Sequence, residues 1–499
     1  MKRIVVFLLS LFALAAVMPG QIANEGAVLG VVMDPSGAAV AGAQVTVVNL
    51  DTGFTKTVST GPEGSFEVLA LPIGPYSVTV SLQGFKTWKL ERLVLNIGER
   101  SRLSPVLEVG DVREQVSVEA TTELIQTEKS SIEDVVEQKQ IRELPLNGRN
   151  PVQLVSLAPG MQYLGQSGGQ WGAERGSYVQ GSGTQSGQTQ FSLDGFNANG
   201  GMDEGAIAIP NVDTIAEFNV QASSFSAEYG RDPMHVVMVT KSGTNEYHGS
   251  LWEFMRNDKF AARNAFATST PKLIQNQFGA AAGGRIIRDK TFFFTSFEGL
   301  RIRQDTIFNS TVPQPAMLQG NFSGISTTIM DPTTGLPFTN NTIPASRIDP
   351  AAQFFFPYLL QPNSSDGRFR TIAPNKSDNT QGTLRIDHMI SNKQRIFGRW
   401  VIYDSPFLFY GYSPQMYETN TTRQNSVGLN YVYTLTPNTL FSISSGYQRS
   451  NNQFTSPNVG TTNLTEEAGI QGFSTPGRAN AVGLVLRRLI QVPHRQGRR

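Results

Sequence analysis

From Gln424 to Ser450, "QNSVGLNYVYTLTPNTLFSISSGYQRS", polar and apolar residues alternate with a period of two. Val427, Leu429, Tyr431, Tyr433 and Leu435 fall on one face. Ser426, Gly428, Asn430 and Thr434 fall on the other. Successive side chains of a strand point to opposite faces, so the pattern predicts two strands around a Thr436-Pro437-Asn438 turn. The alternation does not say which face meets water. A soluble sandwich buries its apolar face. A barrel in an outer membrane turns that face to lipid and lines its lumen with the small polar one.

The same period recurs upstream. Candidate strands cover Gly249–Arg256, Gln275–Ile287, Thr291–Arg303, Gly382–Ile390, Arg395–Asp404, Gln424–Leu435 and Thr439–Ser450. In the second, Phe278, Ala280, Ala282 and Ile286 oppose Gln277, Gly279, Ala281 and Arg285. The connections alternate in length: 257–274, 304–381 and 405–423 are long, whereas 288–290, 391–394 and 436–438 are short. Short turns at one end and long loops at the other are expected of a membrane barrel, and a soluble sandwich has no reason for them. Tyr431 and Tyr433 are therefore expected to face lipid or its interface.

The first part of the chain has shorter strands. Within residues 24–108, "AVLGVVMDPSG", "AQVTVVNLDTG", "GPEGSFEV", "LPIGPYSVTVSLQGF" and "LVLNIG" place a turn every eight to twelve residues, a β-sandwich spacing. Asp34, Gly37, Gly42, Ala43, Val45, Gly53, Gly64, Phe66, Leu71, Gly74, Tyr76, Val80, Gly84 and Phe85 carry a resemblance to the carboxypeptidase regulatory-like family, a transthyretin-like sandwich. These are turn and core positions, so the resemblance implies a fold and no peptidase activity.

Residues 109–125 read as a linker holding a short β-prone segment, Gln115, Val116, Ser117, Val118, Glu119 and Ala120. Two readings stand side by side: one more strand or linker, or a TonB box that pairs through its main chain with a sheet edge of the energising protein TonB. Ser130 lies three residues before Glu133, a capping-box spacing, and Ile132, Val135 and Val136 share a helical face; a helix is expected there, ending before Pro145. Over 126–242 the chain resembles the plug domain of TonB-dependent outer-membrane receptors of the Oar-like group. The resemblance is carried by Leu144 to Asn150, the motif Leu193-Asp194-Gly195, Ile215 to Phe218, Ala227 to Arg231 and Thr240 to Gly249.

The expected fold is thus mainly β: a transthyretin-like sandwich, an α+β plug, and over 243–450 the first strands of an outer-membrane β-barrel. The resemblance implies a receptor or transporter in which the plug blocks the lumen, long loops capture an extracellular ligand and TonB pulls on the box. Barrels of this kind close with ~22 strands. The candidate strands number seven, and the basic tail "LVLRRLIQVPHRQGRR" within 451–499 resembles no barrel strand, so a truncated barrel is expected. A binding module whose sandwich contacts carbohydrate or protein is the alternative, with Trp88 its only Trp; an enzyme is a third reading.

Met1-Lys2-Arg3 followed by the apolar run Ile4 to Val17 predicts a signal peptide over 1–23, too short to span a bilayer as a helix. Charged residues make up only 16% of the chain, below the roughly 25% of soluble proteins. The net charge of +1 argues for no nucleic-acid partner, and zero Cys excludes disulfide and thiol chemistry.

Candidate chemistry is thin. Gly165-Gln166-Ser167-Gly168-Gly169 matches G-x-S-x-G but lies among Gly and Gln, without the strand and helix a nucleophile elbow needs. His235, His248, His388 and His494 form no zinc-peptidase spacing. Arg487, Arg488, Arg495, Arg498 and Arg499 read as a solvated tail. No catalytic residue, cofactor or metal is expected.

Overall fold

The computed structural model describes residues 25–110, 115–118, 133–136, 138–144, 146–166, 177–181, 183, 188–200, 205–222, 234–263, 270–410, 417–436, 439–455 and 464–470. The expected signal peptide, Glu119 and Ala120 of the candidate box, Ala227 to Arg231 and the whole of the basic tail lie outside them.

The first eight strands are β1 (Gly26–Val31), β2 (Gln44–Asn49), β3 (Thr55–Ser59), β4 (Ser65–Leu71), β5 (Gly74–Ser81), β6 (Thr87–Leu95), β7 (Arg100–Leu103) and β8 (Gln115–Val118). They make two sheets, β4-β1-β7 and β3-β2-β5-β6-β8. The inward positions are apolar: Val28, Val45, Val47, Phe66, Val68, Leu71, Val78, Val80, Leu93 and Leu95 form one core. Tyr76 is buried with them, and its hydroxyl donates to the Pro72 carbonyl at 2.6 Å, so the polar tip is satisfied inside the core. Burial pushes the Tyr76 hydroxyl well above its usual pKa.

The next region contains β9 (Glu133–Val136), helix α1 (Gln138–Glu143), β10 (Met161–Gln166), β11 (Ser177–Gly181), β12 (Thr189–Leu193), β13 (Phe196–Asn197), β14 (Ile215–Ala222) and β15 (Met234–Thr240). Five of the strands form a mixed sheet, β13-β12-β15-β14-β9, and β10 and β11 form a separate hairpin. The helix expected from Ser130 is corrected here. Glu133–Val136 is a strand pairing with Phe218 to Gln221, and the helix begins only at Gln138. Val135 and Val136 are β-branched, and an open sheet edge satisfies four residues of main chain that a short capped turn would leave half paired.

Seven antiparallel strands follow in sequential order: β16 (His248–Asn257), β17 (Leu273–Ile287), β18 (Thr291–Thr311), β19 (Arg368–Ser391), β20 (Gln394–Tyr410), β21 (Tyr417–Thr436) and β22 (Thr439–Thr455). They are not closed into a barrel. Most run past the expected ends. β18 and β19 pair continuously from Thr291↔His388 to Thr311↔Arg368, so the long connection shrinks from 304–381 to 312–367. The extension is polar and lacks the alternation that marks a strand with one buried face, which is why patterning missed it. Within that connection Arg347 donates to both carboxylate oxygens of Asp331, at 2.9 and 3.1 Å, and holds its carboxyl well below the usual range.

The sandwich lies against the short-turn end of this sheet and against the plug. Lys56 Nζ donates to Thr434 Oγ1 at 3.0 Å, Arg395 pairs with Glu25, and the Asn245 amide donates to the Asp51 carbonyl at 2.8 Å. Ile97 packs with Val237 and Val239, and its amide donates to Glu217 Oε1 at 2.8 Å.

Candidate functional site

The face of the seven-stranded sheet that packs on the plug is polar, as the opening alternation allows. On β21, Gln424, Ser426 and Asn430 are buried while Val427 and Leu429 stay exposed. Two ionic contacts seat the plug on that face, and both grow from the plug blocks read in the sequence.

Leu193-Asp194-Gly195 ends β12 in a tight turn with both Asp194 (φ +52°) and Gly195 (φ +81°) in the left-handed region. The turn directs the buried Asp194 carboxylate at two barrel-sheet arginines. Arg385 Nη1 donates to Asp194 Oδ1 at 3.1 Å, and Arg399 Nε stands 3.4 Å from Oδ2. The Thr240 amide and hydroxyl donate to the same carboxylate at 2.8 and 2.9 Å. Arg385 also makes a two-pronged contact with Asp387, at 2.9 and 2.8 Å. Paired charges and oriented donors are what keep such buried ions tolerable.

Beyond the turn, Phe196 rests on the sheet wall. A Cβ at Gly428 would come within 2.5 Å of its ring and one at Gly446 within 2.8 Å. Those two glycines are direct partners across β21 and β22, so together they form a seat for one aromatic ring. Arg399 also lies over the Phe196 ring, 5.7 Å from its centre.

The second contact has the opposite polarity. Arg149, from the Leu144 to Asn150 block, pairs with Asp213 of the plug and reaches to 4.0 Å from Glu298 of β18. Its guanidinium lies over Phe254 at 4.4 Å. Glu298 in turn accepts from Trp252 Nε1 at 3.1 Å and Gln381 Nε2 at 2.8 Å. Between the two contacts, Gln424 Oε1 accepts from the Ala208 amide at 2.7 Å, and the Thr214 and Ser296 hydroxyls lie 2.6 Å apart. This arrangement can hold or release a plug. It sets no nucleophile beside a base.

Of the residues singled out in the sequence, Asp194 sits at the centre of the interface. Gln115 to Val118 are remote from it: they pair in parallel with Thr87 to Leu90, forming the last strand of a sandwich sheet. His235 is buried on β15, His248 lies exposed on β16, and His388 Nδ1 is 2.8 Å from Thr291 Oγ1. Arg149, Arg385, Arg399, Phe196 and Gly446 were not singled out individually, and Gly428 was read only as a position on the polar face of its strand. Arg399 carried a usable signal, since it shares the inward parity of its strand, where a charge requires a partner.

Comparison with known proteins agrees with this architecture. Residues 239–486 match the Outer membrane beta barrel domain family, residues 27–108 the Carboxypeptidase regulatory-like domain and residues 126–237 the TonB-dependent Receptor Plug Domain. The chain is 25% identical over 295 residues to the TonB-dependent transporter Oar of Myxococcus xanthus, covering 55% of this chain and 27% of that protein. It therefore spans about a quarter of the length of that relative. Among solved structures, the siderophore receptor PirA from Acinetobacter baumannii aligns with a TM-score of 0.40 at 14% identity, covering 66% of this chain and 41% of PirA. The outer membrane transporter YddB from Escherichia coli aligns with a TM-score of 0.43 at 10% identity, covering 63% and 38%. With plug, barrel and regulatory-like domains matched in one order along one sequence, the chain belongs to the TonB-dependent outer-membrane receptors.

Proposed function

We propose that this chain supplies the sandwich, the plug and part of the barrel of a TonB-dependent transporter in the cell outer membrane, reached by export through residues 1–23. The observation that carries the reading is the seating of the plug on the polar face of the sheet through Asp194, Arg385 and Arg399. A plug held by paired charges and one aromatic seat is fixed at rest, and a pull that separates the pairs releases it. Transport of an extracellular ligand would then need no catalytic residue, cofactor or metal.

In this reading Gln115 to Ala120 is the box that TonB grips, and the sandwich 24–108 faces the periplasm. Thr87 to Leu90 already pair with one edge of Gln115 to Val118. TonB must therefore displace β8 or add to its outer edge, and either mode uses main-chain donors.

The test takes advantage of the absence of Cys. A single cysteine at Ser117 is crosslinked to a cysteine-bearing TonB periplasmic domain in outer-membrane fractions. The expected result is a disulfide adduct that falls about tenfold when Val116→Pro removes a donor and fixes φ. Equal adduct in both chains would remove the box assignment.

A further inference from the structure

The sandwich touches the strand ends beside each of the three short turns of the seven-stranded sheet. At the β17–β18 turn, a Cβ on Gly53 would come within 2.6 Å of Asp289 Oδ1. Asn245 donates its side-chain amide to that oxygen at 2.7 Å and its main-chain amide to the Asp51 carbonyl at 2.8 Å. At the β19–β20 turn, Met389 packs on the sandwich core and Arg395 pairs with Glu25. At the β21–β22 turn, Lys56 donates to Thr434 Oγ1 at 3.0 Å.

Two turns of the sandwich make the closest approaches, and both are held from within it. In the β2–β3 turn, Asn49 Oδ1 accepts from the Asp51 and Thr52 amides at 3.0 and 2.9 Å, and Gly53 sits at φ +73°. In the β6–β7 turn, the Asn96 amide donates to Glu99 Oε2 at 2.9 Å and Gly98 sits at φ +62°. This second turn carries Ile97 at its tip. The tip of a turn on a free sandwich is wet, yet Ile97 is fully buried against Val237 and Val239 of β15, and its amide donates to Glu217 of β14. A rigid turn with an apolar tip is built to meet another surface. Between sandwich, plug and sheet lies a cleft of about 1280 Å³, lined by Asp51, Arg92, Asp194, Glu217, Arg385 and Asp387 among others. The ionic contact that seats the plug is thus on the wall of the space beside the sandwich.

We propose that the sandwich is a latch on the plug: docked through Ile97 and Gly53, it ties β14 and β15 to the short-turn end of the sheet and must lift before the Asp194 contact separates. The inference rests on the reading of the plug as a body that a pull releases. β8 pairs with the start of β6, the strand that leads into the Ile97 turn, so a pull on the box loads the latch together with the plug. Lys56 crosses the seam to neutral oxygens, those of Leu69 and Thr434, and lifting returns its ammonium to water. That regained hydration offsets part of the lost contact and keeps the latch openable.

Asp51→Cys/Asn245→Cys places two thiols, in a chain that has no others, on either side of one main-chain hydrogen bond. The refolded full chain in detergent micelles is treated with a short bis-thiol crosslinker or capped with N-ethylmaleimide. Plug release in urea is followed by protease access to β12 and β15. Release should be about tenfold slower in the crosslinked chain than in the capped one, the scale of one or two contacts kept across the seam. Ile97→Asp in the same background should lower the crosslinking yield about tenfold and, when capped, speed release. The sandwich's own thermal transition should stay in place, because Ile97 lies outside the sandwich core. Equal release in crosslinked and capped chains overturns the latch and leaves the releasable plug standing. An unchanged crosslinking yield in Ile97→Asp overturns docking through that turn. A plug that becomes accessible only when the sheet itself unfolds removes the reading of a releasable plug, and the latch with it.

Discussion

The sandwich and the seven-stranded sheet share a period of two and bury opposite faces. In β2 and β5, Val45, Val47, Val78 and Val80 are inside, and the residues between them are less buried. In β21 the inside positions are Gln424, Ser426 and Asn430, and the exposed ones are Val427 and Leu429. The backbone sets the alternation in both regions, while the surroundings set which face is covered. Water outside drives apolar side chains in. Lipid outside removes that drive, so the inner face must be held by hydrogen bonds and paired charges. Stability in the two regions should therefore respond to different substitutions.

The largest effect is expected at Asp194. Removing its carboxylate leaves Arg385 and Arg399, direct partners across β19 and β20, without the plug's counter-charge, and breaking a buried pair costs roughly 3–5 kcal/mol. Asp194→Ala should lower the urea midpoint of plug release, read by protease access to β12 and β15, and leave the sandwich's own transition in place. An unchanged midpoint would mean that the plug is seated by Phe196 and packing instead.

A paired substitution sharpens the contrast. Leu71 is fully buried in the sandwich, and Leu71→Ala should cost about 2–5 kcal/mol in its thermal unfolding. Leu429 is half exposed on the outward face. Leu429→Arg should leave sandwich unfolding untouched and cost about 2–4 kcal/mol of membrane stability, measured by reversible folding into vesicles. Loss of sandwich stability in Leu429→Arg would show that the two faces are not independent.

The smallest effect is at the seam between the regions. Lys56 is buried, donating to the Leu69 carbonyl at 2.8 Å and to Thr434 at 3.0 Å, and burial pushes its pKa down from 10.5 to about 8. Below about pH 8 the amine is charged in both the folded and unfolded states, and its burial cost is fully present. Between about 8 and 10.5 the folded chain releases a proton that the unfolded chain keeps. Stability should then rise by up to about 3 kcal/mol as pH increases through that window. Thermal unfolding of the unaltered chain minus that of Lys56→Met should show the rise, since other ionisations cancel in the difference. A flat difference profile would mean that Lys56 keeps its proton through contacts with the carbonyls.

Much of this was legible from local pattern. Alternation at Gln424 to Leu435 marked a strand and its two faces, and turn residues spaced the sandwich strands. The uneven connections pointed to a membrane sheet before any contact was known. Legibility failed where the determining partner lies far along the chain. Ser130 and Glu133 have a capping-box spacing, yet Glu133 to Val136 pair with Phe218 to Gln221, which no local signal reveals. The polar extensions of β18 and β19 pair with each other along their whole length and carry no alternation.

The sequence by itself determined the period, the order of the regions and the family, because each is written in neighbouring residues. Only the tertiary structure decided that Asp194 meets Arg385 and Arg399, 191 residues away in the first case, and that Gly428 and Gly446 leave room for Phe196. It also decided that Gln115 to Val118 lie on the sandwich edge. A strand's faces follow from its own covalent geometry, which repeats every two residues. What a face touches depends on how distant segments close together, and a charge or a glycine has the same local chemistry whichever partner it meets.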